Sequence, residues 1–225
     1  MVFPQVEVAI ESIDLDANGI GHVDGKVHFI DGAITGETVI AEITRVKPSY
    51  SKGRTLRVLN TASTRTTPKC PHYGVCGGCA MQHIEPNAQV AIKNRALEDL
   101  LERIGRQKPE QMMPPIYGSF WGYRHRARLS TRFVIKKDRF FVGFHEKSSS
   151  YVADMQECHV LPKHVSNMIV PLGNMLVTLS IFMRVPQIEL AVGDGVTAMV
   201  LRHLEPFSES DLDTLRSFGR EWGID

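Results

Sequence analysis

Residues 70–79 read CPHYGVCGGC, and this stretch decides how the rest of the chain is interpreted. It holds three of the chain's four cysteines at C-x5-C-x2-C spacing. The glycines among them let the backbone turn tightly and let N–H groups approach the sulfur atoms. The pattern predicts one metal–sulfur centre whose fourth ligand comes from a distant segment and joins two parts of the fold. Its predicted ligands are Cys70, Cys76, Cys79 and Cys158.

The spacing alone leaves the metal open. Structural zinc usually takes two C-x2-C pairs, whereas this sequence has one. Four thiolates at uneven spacing are typical of iron–sulfur clusters, so the spacing slightly favours iron. A thioredoxin-like redox pair would leave Cys70 and Cys158 without a role, and a thiol redox protein is therefore the weakest of three functional interpretations.

Composition points to a soluble globular protein, with 43% hydrophobic and 23% charged residues in 225. No stretch is long and apolar enough to span a bilayer, and residues 1–10 lack the features of an export signal. We therefore expect a cytoplasmic monomer that does not contact membranes. In that compartment cysteines bind metals or act as thiols more often than they form disulfides.

Positive charge is concentrated in two windows of the chain. Residues 45–69 contain seven Lys/Arg, residues 117–137 contain six, and neither window contains an acidic residue. All 25 acidic residues and the other 13 basic residues lie elsewhere, so the rest of the chain carries a formal charge of −12. This segregation predicts a polyanion-binding surface on an otherwise acidic body.

The fold is predicted as α+β. Residues 5–61 alternate apolar and polar positions in short runs separated by glycines, which indicates a small closed β-barrel of the OB type. We place this barrel at residues 1–62 and an α/β central domain with the cysteine stretch at 63–225. The elements predicted after the barrel are helix 86–105, strands 123–135 and 139–145, helix 162–183, strands 187–192 and 197–203, and helix 208–222.

Four arginines share one face of the predicted strand 123–135, because side chains alternate along a strand. They are Arg124, Arg126, Arg128 and Arg132, opposite a predicted core face of Tyr123, Ala127, Leu129, Thr131 and Phe133. Arginine binds phosphate oxygens in a bidentate manner and stacks on unpaired bases, which suits RNA. The alternative is a charged edge strand, for which lysine would serve equally well. In the barrel's basic window, Tyr50, Lys52 and Arg54 are predicted as further RNA contacts.

These motifs together resemble the bacterial 23S rRNA (uracil-5-)-methyltransferase family RlmD, also called RumA. The resemblance is carried by residues 70–79, Gln82-His83, WGYRHRARLS at 121–130, Gly143-Phe144 and Gln156-Glu157-Cys158. It implies a [4Fe-4S] cluster on the four cysteines and 23S rRNA as partner. The barrel, with Gly19-Ile20-Gly21 and Gly36-Glu37, resembles an RNA-binding TRAM domain.

The family also has a Rossmann-like domain that binds S-adenosylmethionine and supplies a cysteine that attacks C6 of the target uracil. The sequence up to Asp225 contains no cofactor fingerprint, and no cysteine remains once four hold the cluster. We therefore expect that domain to be missing here and to be supplied in cis or as a separate piece. Helix 86–105 is a candidate for belonging to it. Gly193-Asp194-Gly195 is predicted as a hairpin turn and not as a cofactor loop. We thus predict no catalytic and no S-adenosylmethionine-binding residues in this chain.

The expected function is the N-terminal, RNA-recognising part of an S-adenosylmethionine-dependent 23S rRNA uracil-5 methyltransferase, inactive by itself. The alternative is a non-catalytic RNA-binding protein with a structural zinc site. Iron content separates the two.

Overall fold

The computed structural model describes residues 3–225 of the protein. By their contacts these residues form two compact units, one of residues up to 68 with 80–117 and the other of residues 69–79 with 118–225. The division at residues 62 and 63 remains a prediction. Within the described residues no helix has the length and apolar character needed to cross a bilayer.

The first unit contains a six-stranded sheet with the order β1-β5-β6-β4-β3-β2. The pairing of β4 with β6 is parallel, and the other pairings are antiparallel. The strands are β1 (Gln5–Ala9), β2 (Ser12–Ile13), β3 (Asn18–Val23), β4 (Lys26–Asp31), β5 (Thr38–Val46) and β6 (Tyr50–Asn60).

Gly21 shows that this sheet curves back on itself. It lies on β3, close to one end of the strand order, yet a Cβ at this position would meet the Ala9 carbonyl oxygen of β1 at 2.2 Å. The Glu11 N–H also donates to the Ile20 oxygen at 2.8 Å. The sheet encloses a core of Val8, Ile10, Ile30, Ala33, Val39, Ala41 and Ile43. Close approach of β1 and β3 explains why glycine is needed at position 21.

Glu37 is a buried carboxylate in this unit, 1% exposed. Its two oxygens accept hydrogen bonds from Arg65, each at 2.6 Å, and it also accepts the N–H groups of Ile34 at 2.9 Å and Ala62 at 3.2 Å. Burial by itself raises the pKa of Glu37, but these donors outweigh it and hold the pKa below its ordinary value. The ion pair between Glu37 and Arg65 therefore holds the segment that follows β6 against the barrel.

The first unit also contains helix α1 (Pro86–Arg103), which begins with proline after the capping residue Glu85. The Glu85 carboxylate accepts the Ala88 N–H at 3.0 Å. None of the helix residues is buried. Leu97 is 48% exposed and Ile104, directly after the helix, is 76% exposed. This helix therefore has no covered apolar face among the described residues.

The second unit contains an antiparallel sheet with the order β10-β9-β7-β8. Its strands are β7 (Arg126–Val134), β8 (Arg139–Gly143), β9 (Gln187–Val192) and β10 (Thr197–Arg202), and its helices are α2 (Lys163–Leu176) and α3 (Glu209–Trp222). A Cβ on Gly173 of α2 would lie 3.2 Å from the Phe140 oxygen of β8, so helix and strand pack closely. The core includes Leu129, Met168, Leu172, Leu176 and Ile188, each at most 1% exposed.

Several element boundaries differ from the sequence prediction. The first long strand begins at Arg126 and not at residue 123, and Tyr123 is 55% exposed, so its assignment to the core face was wrong. Helix α2 ends at Leu176, because the chain then turns and the Ser180 N–H and hydroxyl bond to Asp211 at 2.7 and 2.5 Å. β8 ends at Gly143, two residues before the predicted end.

Candidate nucleic-acid interface

The cysteine loop (residues 70–79) is built from successive tight turns within the second unit. The Tyr73 N–H donates to the Cys70 oxygen at 3.1 Å, and the Cys76 N–H donates to the His72 oxygen at 2.9 Å. Gly74 has a φ of +87°, a conformation that favours glycine. The glycine-rich sequence therefore forms the compact loop that the cysteine spacing predicts.

All four cysteines lie in the second unit, and none of them forms a disulfide. Cys76 and Cys158 are buried, and Cys79 packs against the same core. Burial is the main cause that raises the pKa of Cys70, Cys76 and Cys158, and the charges of neighbouring cysteines raise it further. Cys79 acts on each of these three thiols in this way. The structure thus gathers the four predicted ligands in one region.

Within residues 3–225 no three His, Cys, Asp or Glu side chains are arranged to hold one metal ion. Cysteine thiolates are the donors both of structural zinc sites and of iron–sulfur clusters, so the chemistry of these side chains suits either group. A metal centre at the four cysteines therefore stays a prediction.

Gly78 brings the cysteine loop against an aromatic side chain. A Cβ at this position would lie 2.9 Å from Cδ2 of Phe144 and 3.4 Å from the Cys76 sulfur. The Gly78 N–H also points to that sulfur at 3.4 Å. The Arg124 guanidinium lies 5.1 Å from the centroid of the same ring. Phe144 is therefore close to both the cysteine loop and an arginine.

An open groove of about 590 Å³ lies beside this contact. Two of its walls are the cysteine loop and the chain around the start of β7, and a third is the segment that follows β8. Its lining residues are Gly77, Gly78, Arg124, Arg126, Ala127, Arg128, Phe144, His145, Glu146, Lys147 and Ser148. Four of these carry a permanent positive charge and one is acidic, so the groove suits an anionic ligand.

The predicted arginines occupy different environments. Arg126, Arg128 and Arg132 are exposed on β7, opposite buried Leu129 and Thr131. Arg124 precedes the strand and is partly buried, and its Nη1 donates a long hydrogen bond of 3.5 Å to the Gly78 oxygen. Three of the four line the groove, whereas Arg132 does not. The carboxylate of Glu189 lies 3.8 Å from Nε of Arg128.

The segment from His145 to Ser148 is a wall that the sequence reasoning missed. Gly77 donates its N–H to the His145 oxygen at 2.9 Å, and Lys147 donates its N–H to the Val75 oxygen at 2.7 Å. The His145 ring nitrogen lies 2.7 Å from the Ser130 hydroxyl of β7. Only the quoted Gly143-Phe144 pair marked this region in the sequence. Its pairing with the cysteine loop is a long-range contact without a local signal.

The barrel residues predicted to contact RNA lie on β6 in the first unit. Lys52 and Arg54 are exposed, and Arg54 pairs with Glu42 at 2.7 Å. The Tyr50 ring is partly buried and packs edge-on against Phe29, with centroids 5.8 Å apart. In the same basic window, Arg65 is committed to buried Glu37. Part of the positive charge in this window is therefore paired with acidic residues of the barrel.

Comparison with known proteins supplies the context for this site. Residues 1–56 match the TRAM domain family, as the barrel's glycine pattern predicted. The chain is 57% identical over 96% of its length to the 23S rRNA (uracil(1939)-C(5))-methyltransferase RlmD of Bordetella avium. It is 52% identical over 99% of its length to the RlmD protein of Chromobacterium violaceum.

Along nearly its whole length, the chain is similar to RlmD methyltransferases. These matches cover 45% and 43% of the two relatives, so the chain spans about half the length of the curated relatives it matches. The sequence similarity to RlmD proteins that the cysteine loop and the arginine strand indicated is therefore confirmed.

A solved structure shows the same fold. The Pyrococcus abyssi tRNA (uracil-54, C5)-methyltransferase, in complex with S-adenosyl-L-homocysteine, aligns with 92% of this chain at a TM-score of 0.62 and 18% identity. The match covers 48% of that methyltransferase chain.

This likeness corrects the predicted fold class. The prediction described a TRAM barrel and an α/β central domain, with the Rossmann-like methyltransferase domain absent. That prediction is wrong, because 92% of this chain aligns with a methyltransferase structure. At 18% identity this likeness leaves no sequence pattern from which it could have been predicted.

Proposed function

We propose that this chain is the RNA-recognising, TRAM-containing part of an S-adenosylmethionine-dependent 23S rRNA uracil-5 methyltransferase that acts in the cytoplasm. The observation that carries the proposal is the groove, which combines the arginines around β7 with the cysteine loop in one unit. The substrate and methyl donor are supported by the names of the similar RlmD proteins and by the S-adenosyl-L-homocysteine bound to the Pyrococcus methyltransferase.

In this proposal the groove holds the sugar–phosphate backbone of the RNA. Arg124, Arg126 and Arg128 present guanidinium groups toward one open space. Each can bind a phosphate in a bidentate manner or stack on an unpaired base, which are interactions that single-stranded RNA offers. In the barrel, Tyr50, Lys52 and Arg54 are proposed as a second set of contacts, and Arg132 extends the strand's charged face beyond the groove.

We also propose that Cys70, Cys76, Cys79 and Cys158 hold a [4Fe-4S] cluster. The proposal is supported by the absence of disulfides among the four cysteines, by the burial of Cys76 and Cys158, and by the Gly78 N–H on the Cys76 sulfur. When bound, the cluster supplies four iron–thiolate bonds that join the loop to the segment around Cys158. A single zinc ion remains the alternative for the same thiols.

The cysteine assignment constrains where the chemistry occurs. Methylation at C5 needs a thiolate that attacks C6 of uracil, after which C5 can accept the methyl group and lose its proton. All four cysteines of this chain are assigned to the cluster. We therefore propose that the attacking thiol comes from residues other than these 225, and that the chain by itself binds RNA without methylating it.

RNA binding tests the groove directly. The triple variant Arg124→Ala, Arg126→Ala, Arg128→Ala should weaken binding of single-stranded 23S rRNA fragments. Loss of three phosphate contacts should also flatten the slope of log Kd against log salt by about 2, at about 0.7 per contact. Titrations at several salt concentrations measure both quantities, and iron content verifies that the variant keeps its fold.

A second triple variant provides the matched control. Arg184→Ala, Arg216→Ala, Arg220→Ala removes the same charge from the same unit, at exposed positions that do not line the groove. It should change affinity little. Equal losses in both triples would mean diffuse attraction to the whole protein, and an unchanged groove variant would contradict the proposed RNA site.

A further inference from the structure

Two aromatic rings are in contact on the outer face of the barrel, where β6 begins. Phe29 of β4 and Tyr50 of β6 pack edge-to-face, with their centroids 5.8 Å apart and an angle of 86° between the ring planes. Phe29 alternates along β4 with buried His28 and Ile30, so its side chain lies on the face away from the core. Both rings remain partly exposed. Each ring therefore limits the motion of the other while part of its surface faces solvent.

Three basic side chains lie beside these rings. In the strand register, Lys52 of β6 lies between Phe29 of β4 and Arg45 of β5. Side chains of residues paired in this way share one face, with their Cβ atoms about 5 Å apart. The Lys47 N–H donates to the Tyr50 oxygen at 2.8 Å and closes the turn between β5 and β6, which places a third cation next to Tyr50. All three basic residues are exposed.

These three cations have no acidic partner within residues 3–225. β6 contains no acidic residue, and Glu42, the one acid of β5, is paired with Arg54 at 2.7 Å. Like charges that face each other across two strands destabilise a sheet. The positions of Arg45 and Lys52 therefore favour a bound anion beside the aromatic rings.

We infer that the barrel has a stacking platform for single-stranded RNA. The platform consists of Phe29, Tyr50, Arg45, Lys47 and Lys52. An unpaired base lies on Phe29 beside Tyr50, and the adjoining phosphate lies between Lys52 and Arg45. The inference rests on the proposed function, since it takes RNA as the ligand. It adds how the barrel binds the strand, and it makes Phe29 the residue that selects unpaired bases.

The combination of aromatic rings and cations favours unpaired RNA over other polyanions. Every base has a flat face that can stack on an aromatic side chain, and such stacking contributes on the order of fivefold or more in affinity per base. In a double helix neighbouring bases cover those faces, so a ring on the protein surface cannot stack on them. A surface that is only basic would instead bind single and double strands according to their charge.

Binding that depends on the bases is the measurement that tests the platform. The 225-residue chain is titrated by fluorescence anisotropy with an oligouridylate of about 10 nucleotides and with an abasic strand of the same length and charge. Phe29→Leu keeps an apolar side chain but removes the flat ring. This variant should lose about fivefold in affinity for oligouridylate and little for the abasic strand.

Two single substitutions on β6 separate the role of the platform's charge. Lys52→Ala should weaken binding of both strands and flatten the slope of log Kd against log salt by about 0.7. Arg57→Ala removes the same charge at an exposed position farther along the strand, and it should change either affinity little. Equal losses in the two variants would overturn the platform in favour of diffuse attraction to the barrel.

Photocrosslinking of the unaltered chain locates the base without any substitution. Oligouridylate that contains 5-iodouridine should crosslink to Phe29 or Tyr50, as mass spectrometry of the crosslinked peptides identifies. Crosslinks confined to peptides of the second unit would overturn the platform and leave the groove in place, and so would an unchanged oligouridylate affinity of Phe29→Leu. Absence of RNA binding by the unaltered chain would overturn the proposed function itself.

Discussion

At the residue scale, Gly78 is the glycine of the cysteine loop at which an added Cβ would make the shortest contact. A side chain there would collide with the Phe144 ring and approach the Cys76 sulfur, as its 2.9 and 3.4 Å distances show. Glycine at this position therefore serves packing and access to the sulfur rather than an unusual backbone angle. The same contact fixes the ring on which Arg124 lies.

Replacement of Gly78 by alanine should disturb the loop. We expect Gly78→Ala to destabilise the second unit by about 1–3 kcal/mol, as other overpacked sites do, and to lower iron content. Gly118→Ala is the matched control, because a Cβ there meets nothing within 4 Å. Thermal unfolding and iron analysis of both variants measure the difference. Equal behaviour of the two would show that the contact with Phe144 is not tight.

In the barrel, the buried carboxylate of Glu37 allows a second test with a single substitution. Glu37→Gln removes the charge that pairs with Arg65 and leaves a partly buried cation, so we expect a loss of about 2–4 kcal/mol in the unfolding free energy of the first unit. Because the folded-state pKa lies below the ordinary 4.5, the carboxylate's contribution is complete above that pH and is lost as the pH falls through the folded-state pKa.

Amide hydrogen exchange of β5 and β6 measures this loss. Exchange in the unaltered chain should accelerate as the pH falls below about 4.5, beyond the intrinsic pH effect, whereas Glu37→Gln should lack that acceleration. Glu7→Gln, at an exposed position of β1, is the control for charge alone. A Glu37→Gln chain with the same pH profile as the unaltered chain would show that the ion pair does not stabilise the barrel.

At the element scale, β7 and α1 show two different outcomes of sequence reasoning. Period-two alternation placed Leu129 and Thr131 in the core and the arginines of β7 outside, and the structure has this arrangement. The same rule failed at Tyr123, because regular strand geometry starts only at Arg126. For α1, the sequence predicted a helix over residues 86–105 but could not say what covers it.

The assignment of helix 86–105 to a further part of the protein stays a proposal. Its support is that α1 has no buried residue and that Leu97 and Ile104 are exposed. Amides of α1 should exchange quickly in the 225-residue chain and more slowly in a protein of the relatives' full length. The amides of α2, which is mostly buried here, should exchange alike in both. Fast α1 exchange in both proteins would contradict the assignment.

At the scale of the whole molecule, local patterns predicted more than long-range contacts did. The glycines of the cysteine loop and of the barrel are short-range signals, and the structure contains the turns and strands that they indicate. The groove wall at His145–Ser148 depends on pairing between segments about 70 residues apart, as in the bridge between Cys76 and Glu146. No single-sequence pattern encodes such a pairing.

The fold class failed for a related reason. A missing fingerprint motif was taken as a missing methyltransferase fold, although the likeness to the Pyrococcus methyltransferase is carried by architecture at 18% identity. Burial of Glu37 with Arg65 was equally invisible in the sequence, where Arg65 counted as one more basic residue. Charge counts identify a basic surface only after such internal pairs are removed.

Metal analysis of the anaerobically purified 225-residue chain tests the account's central claim most directly. The account predicts a brown protein with about four iron atoms and about four labile sulfides per chain, and loss of both when Cys158 is replaced by serine. One zinc ion per chain with RNA binding intact would contradict it in favour of the zinc-containing RNA-binding protein. Methyl transfer by this chain alone would contradict it as well, because one of the four cysteines would then be the nucleophile.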